Sequence, residues 1–137
     1  MRTLAPATGD PSMSRVRTVR RCTGSMHTVV GASCGDSAVL AISGDGTVTE
    51  LTRLQSKNPP VGSGEATFIL FEAELTRPWK ILAMTDGVWK FAGWDSIEDA
   101  VCEMNGQPLI DALANRARLP GSGQFQDDFT LLVLESD

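Results

Sequence analysis

Three aspartates near the C-terminal end stand where β-like runs meet loops. Asp86 closes the apolar run 79–85, and Asp127 and Asp128 open the run 129–134. In an antiparallel pair, the end of one strand and the start of its neighbour share a sheet edge, so pairing would gather these carboxylates. Gathered carboxylates repel unless a cation sits among them, and an oxygen-only ligand set suits Mg²⁺ or Mn²⁺. Asp36, in Cys34-Gly35-Asp36-Ser37, is a further carboxylate at a strand end whose loop could share that edge. Taken singly, each has an ordinary reading, because Asp and Gly are default turn residues. Their recurrence at strand rims is what points to a hard-metal site.

Two other patterns invite chemistry. Gly31-Ala-Ser33-Cys-Gly35 matches the Gly-x-Ser-x-Gly nucleophile elbow. That elbow needs a helix after the turn and a histidine later in the chain. Here a strand-like run follows, and the sole histidine, His27, lies upstream. A serine hydrolase is therefore disfavoured, and His27 reads as an ordinary residue at the start of a strand. Trp79, Trp89 and Trp94 surround the Asp86 segment and read as packing residues.

The elements that must position these residues follow from pattern. Runs at 28–33 and 38–42 are strands, and Gly44-Asp45-Gly46 leads into a hairpin partner at 47–52. Residues 55–64 hold Pro59, Pro60, Gly62 and Gly64 and read as a loop. Strands are expected at 67–75 and 79–85; in the first, Phe71, Ala73 and Leu75 alternate with Glu72 and Glu74. Residues 86–94 read as a loop with two glycines. Ser96 with Asp99 resembles a capping box for a helix carrying Ile97, Val101 and Met104. A second helix starts at Pro108 and runs to about Ala117. Five strands, two helices and a final strand favour an α+β fold: an antiparallel sheet with helices on one face.

Bulk properties bound the function. A chain of 137 residues fits one domain. No apolar run approaches the roughly 20 residues that span a bilayer, so no membrane segment is expected. Residues 1–21 carry five arginines against one aspartate, and the body holds the excess of acid. An acidic body argues against nucleic acid, whose phosphates require a basic patch. Residues 1–26 read as an Arg-rich, disordered leader. Cys22, Cys34 and Cys102 form no Cys-x-x-Cys pair and suit reduced thiols in a cytoplasmic location.

Met84-Thr-Asp86-Gly87-Val-Trp89 and Asp127-Asp-Phe-Thr130-Leu-Leu-Val resemble the C-terminal signatures of the metal-dependent protein phosphatase 2C family. Val30-Gly-Ala-Ser-Cys-Gly35-Asp36-Ser37-Ala-Val-Leu40 is similar to that family's Gly-Asp-Ser strand pair, and Leu51 to Pro59 resembles the segment after it. Sporulation-type phosphatases share a similar ending. The resemblance runs from about Gly24 to Glu135. It implies an antiparallel β-sandwich flanked by helices, with two Mg²⁺ or Mn²⁺ ions whose activated water attacks phosphoserine or phosphothreonine in proteins. By position it makes Asp86 and Asp127 metal ligands, has Asp128 support them, and assigns Asp36 to an accessory metal position.

The resemblance also implies an N-terminal Asp-Gly-His-Gly-Gly-like motif that carries the carboxylate bridging both metals. Nothing in residues 1–26 matches it; Gly9-Asp10-Pro11 lacks the following Gly and a preceding strand. Residues 27–137 are therefore expected to be the C-terminal part of a phosphatase 2C-like domain, incomplete at its N-terminus, with weakened two-metal catalysis. The alternative is a catalytically inactive binding or regulatory pseudophosphatase module. A truncated sandwich leaves an unpaired sheet edge, so self-association or pairing with another chain is expected.

Overall fold

Residues 26–55, 59 and 62–137 are described by a computed structural model. Their order is β1 (Met26–Ser33), β2 (Ala38–Ile42), β3 (Val48–Glu50), β4 (Ile69–Thr76), β5 (Lys80–Met84), α1 (Asp86–Ala92), α2 (Trp94–Glu103), α3 (Gly106–Ala117) and β6 (Leu131–Glu135). β1 pairs with β4 in a two-stranded sheet. The other sheet runs β3-β2-β5-β6, and every pairing is antiparallel.

Local chemistry accounts for the hairpin and for the joint between the sheets. The Thr47 N–H donates to Asp45 Oδ1 at 2.9 Å, closing the β2–β3 turn with Ile42 opposite Val48. Hydrogen bonding to Thr47 holds the Asp45 carboxyl below its ordinary pKa. Ser43 Oγ lies 2.9 Å from Thr76 Oγ1 and accepts the Thr76 N–H, while the Gly44 N–H donates to Thr76 O. This clasp ties the hairpin to the end of β4. In β4, Glu72 and Glu74 are exposed while Phe71, Ala73 and Leu75 are covered, as their alternation predicts.

The core lies between the four-stranded sheet and the helices. Register aligns Leu40 with Leu82 and Leu82 with Val133, and it aligns Ala38 with Met84 and Met84 with Leu131. Onto these rows pack Val88 of α1, Ile97, Ala100 and Val101 of α2, and Leu109 and Leu113 of α3. Each fully buried Val, Leu, Ile or Met among them contributes about 1.5–3 kcal/mol. The helices cover one face, as the α+β reading expects. On the other face Leu132 and Leu134 of the edge strand β6 remain 54% and 48% exposed. A cross-strand pair clasps the helix layer: Lys80 Nζ donates to Val101 O and Met104 O at the end of α2, and Glu135 accepts the Gly106 N–H that opens α3.

Several expectations change. Residues 86–92 are a helix, not a loop, because Val88 is fully buried and drives the segment onto the core despite Gly87. Among the described residues there are thus three helices, not two. α2 begins at Trp94 after Gly93 with no side-chain cap, so the Ser96–Asp99 box does not form. α3 begins at Gly106, two residues before Pro108. The leader expected at 1–26 lies outside the described residues except for Met26, which opens β1. The loop expected at 55–64 is described only at 55, 59 and 62–64. Among the described residues, no helix is long and apolar enough to cross a membrane.

Candidate functional site

The site is built around Thr85, the residue between β5 and α1. Its Oγ1 donates to Asp128 O at 2.7 Å and accepts the Thr130 N–H at 3.0 Å, while its own N–H donates to Thr130 O at 3.1 Å. The chain entering β6 is thereby stitched to the end of β5, extending the Met84–Leu131 pairing by one step. Asp86 occupies the first turn of α1, and Asp127 lies one residue before the stitched Asp128. The expected meeting of the two strand ends at one rim is what the register produces.

Gly87 explains why glycine follows Asp86. Its backbone is helical, yet a Cβ there would overlap Asp128 O and lie 3.0 Å from the Asp128 carbonyl carbon. No side chain fits between the first turn of α1 and the Asp127–Asp128 backbone. The Asp-Gly pair is therefore a close-approach device, not a turn.

Lys90 stands one turn along α1. Its Nζ lies 2.5 Å from Asp86 Oδ2 and 5.3 Å from the centre of the Trp89 ring. The hydrogen bond to Asp86 raises the pKa of the Lys90 ammonium, and the charges of Asp86, Asp36 and Asp127 add to the effect. Trp89 fixes the third segment of the site. Its Nε1–H donates to Asp36 O at 3.1 Å, and its ring stacks on Trp94 with centroids 5.8 Å apart. The start of α1 thus meets the Asp127–Asp128 segment at Gly87 and the Asp36 turn at Trp89. An open cleft of about 250 Å³ beside them is lined by Asp36, Glu50, Arg53, Trp89 and Trp94. Burial raises the Glu50 pKa there, against the pull of Arg53.

The four predicted aspartates play unequal parts. Asp86 and Asp127 share the rim, and Asp36 approaches it through its main-chain bond to Trp89. Asp128 turns its carbonyl into the seam with Thr85, and its N–H donates to Asp127 Oδ1 at 2.8 Å. Among the described residues, no group of three or more His, Cys, Asp or Glu side chains lies close enough to hold a metal ion. The full two-metal ligand set is therefore not assembled by these side chains.

Residues outside the rim are placed elsewhere. His27 accepts a hydrogen bond from Arg77 Nε at 2.8 Å, beside the start of β5, whereas Asp86 follows its end. Ser33 ends β1 with a buried hydroxyl, and a turn and β2 follow, so no nucleophile elbow forms. Cys34 and Cys102 are free thiols, and Cys22 lies outside the described residues. Sequence reasoning missed Lys90. Its signal was the i, i+4 spacing from Asp86, legible only once 86–92 is a helix.

The family model of stage II sporulation protein E (SpoIIE) matches residues 19–137. The fold is similar to the solved phosphatase domain of the cell-fate determinant SpoIIE from Bacillus subtilis. The TM-score is 0.54 at 14% identity, over 79% of this chain and 51% of that one. This chain thus spans about half the length of that domain, and at this identity the likeness concerns the fold alone. No curated protein matches.

Proposed function

Because this chain belongs to the SpoIIE family, which is phosphatase 2C-like, we propose that it acts as the C-terminal portion of a metal-dependent phosphatase domain for phosphoserine or phosphothreonine proteins. The seam at Thr85 and Gly87 supports this reading, because it sets Asp86 and Asp127 at one rim with no room for slack. Residues 27–137 are the phosphatase-like portion, and its working location is cytoplasmic.

The carboxylates of Asp86 and Asp127 are at most a partial donor set for a hard cation. Mg²⁺ commonly keeps several waters and takes only one or two carboxylates, which Asp86 and Asp127 can offer, with Asp36 as an accessory. They do not fit a two-cation centre, since no third ligating side chain joins a pair among the described residues. When bound, Mg²⁺ or Mn²⁺ supplies Lewis-acid charge for phosphoryl chemistry. Asp86 and Asp127 would be the residues to hold it, while Thr85 ties the two segments together and Gly87 permits their close approach. Efficient hydrolysis then requires carboxylates beyond these.

A second reading, an inactive binding or regulatory pseudophosphatase module, draws on Lys90. An ammonium already paired with Asp86 gives the rim positive charge without any metal. Hydrolysis of p-nitrophenyl phosphate and of a phosphothreonine peptide, with and without Mn²⁺, separates the two. The phosphatase reading expects weak Mn²⁺-dependent turnover that Asp86→Asn lowers on the order of tenfold or more. No turnover at high enzyme concentration would leave the inactive module. Turnover indifferent to Asp86→Asn would sink the assignment of the site.

A further inference from the structure

We propose that the open cleft beside α1 receives a basic side chain, lysine or arginine, of a phosphoprotein substrate, so that this chain selects phosphoresidues with a cationic neighbour. The inference rests on the phosphatase reading; its own support is the make-up of the cleft. Trp89 of α1 and Trp94 of α2 line it as two stacked indoles, with centroids 5.8 Å apart. Its charged lining residues are Asp36, Glu50 and Arg53, so acid exceeds base by one charge. At about 250 Å³ it falls below the roughly 300–1,000 Å³ of pockets that bury whole small-molecule ligands, which suits a single side chain. Lys90 is bonded to Asp86 and does not line the cleft.

Glu50 is the telling residue. Cross-strand register sets it in one row with Leu40, Leu82 and Val133. Leu40 and Leu82 are buried in the core, so the carboxylate stands on the core side of the sheet, a place for apolar side chains. Burial raises its pKa, and the charge of Arg53 offsets this only in part. An ammonium or guanidinium entering the cleft supplies further counter-charge to Glu50, while its apolar stem and cationic head lie against the indoles. The walls are already fixed: Trp89 Nε1–H donates to Asp36 O at 3.1 Å, and Gln55 Nε2 donates to Gly35 O and Ser37 O. Binding therefore needs little reorganisation. Trp89 follows Asp86 by three residues on α1, about 4.5 Å along the helix axis, and an extended peptide advances roughly 3.3 Å per residue. A phosphoresidue at the Asp86 rim thus brings a residue roughly one to three positions away to the cleft.

Fluorescence anisotropy of labelled phosphothreonine peptides on the purified full chain tests this. The set places one arginine, norleucine or glutamate at each position up to three residues either side of the phosphothreonine. The best-placed arginine peptide is expected to bind on the order of tenfold tighter than its norleucine twin at low ionic strength, with the gap narrowing as salt is raised. The glutamate peptide should bind weaker still. Glu50→Gln, which keeps the shape, should cut the arginine advantage to about twofold. Trp94→Leu should reduce it too, and Trp94→Phe should keep most of it; Glu50→Gln carries the test should Trp94→Leu fail to fold by circular dichroism. An arginine advantage absent at every position, or undiminished by Glu50→Gln, would overturn the cleft assignment, as would the absence of any peptide binding. The phosphatase reading falls separately, on the turnover assay with Asp86→Asn. A Glu50-dependent arginine preference shared by the unphosphorylated peptides would support the cleft whatever that assay gives.

Discussion

Gly87→Ala is the most informative single change, because steric overlap and helix propensity pull in opposite directions. In an exposed helix, alanine gains about 0.5–1 kcal/mol over glycine. Here the added Cβ overlaps the Asp128 carbonyl, which is backbone and cannot rotate aside. The Asp127–Asp128 segment must retreat by about 1 Å to restore ordinary contact. That retreat breaks or stretches three hydrogen bonds at Thr85, to Asp128 O, from Thr130 N–H and to Thr130 O. These bonds are solvent-accessible, so each counts near the lower end of the usual range, roughly 0.5–1 kcal/mol. After the propensity gain, a net loss of about 1–2 kcal/mol remains. Urea unfolding followed by tryptophan fluorescence should show a midpoint lower by about 0.5–1 M, taking a slope of roughly 2 kcal/mol/M. A midpoint at or above wild type would mean that the seam is soft and that Gly87 is there for another reason.

Two further outcomes follow from the fold. The β6 edge and its exposed Leu132 and Leu134 should drive self-association at micromolar concentration. Sedimentation velocity should find larger species that Leu134→Lys returns to monomer, and a wild-type monomer at high concentration would refute this. Asp45 carries a lowered folded pKa, so its contribution to stability is fully present above the unfolded value of about 3.9 and fades as pH falls through the folded value. Asp45→Asn should therefore lower the urea midpoint at pH 7 and flatten its decline below about pH 4. An unchanged slope in that range would mean the Thr47 bond is absent in solution.

Much of the fold was legible because its signals are local. The alternation through β4 and the Gly-Asp-Gly hairpin depend on neighbouring residues alone, and they appear as expected. The convergence of Asp86 and Asp127 was legible for a related reason, since antiparallel register needs only strand ends and order. Helix α1 was not legible. Two glycines within eight residues weaken the helical signal, and only the burial of Val88 against the core overrides it.

That one missed helix carries the difference between the sequence's account and the structure's. Residue types and order alone pointed to Asp86 and Asp127 meeting at one edge of a hairpin-rich antiparallel sheet, an arrangement expected to suit a cation. Tertiary structure decided what stands in that rim. Turning 86–92 into a helix brings Lys90 back onto Asp86, presses Gly87 against Asp128 and aims Trp89 at Asp36. The physical reason is periodicity: four residues apart is one turn in a helix but about 13 Å in an extended chain. The choice between those periods was made by the core, not by the segment.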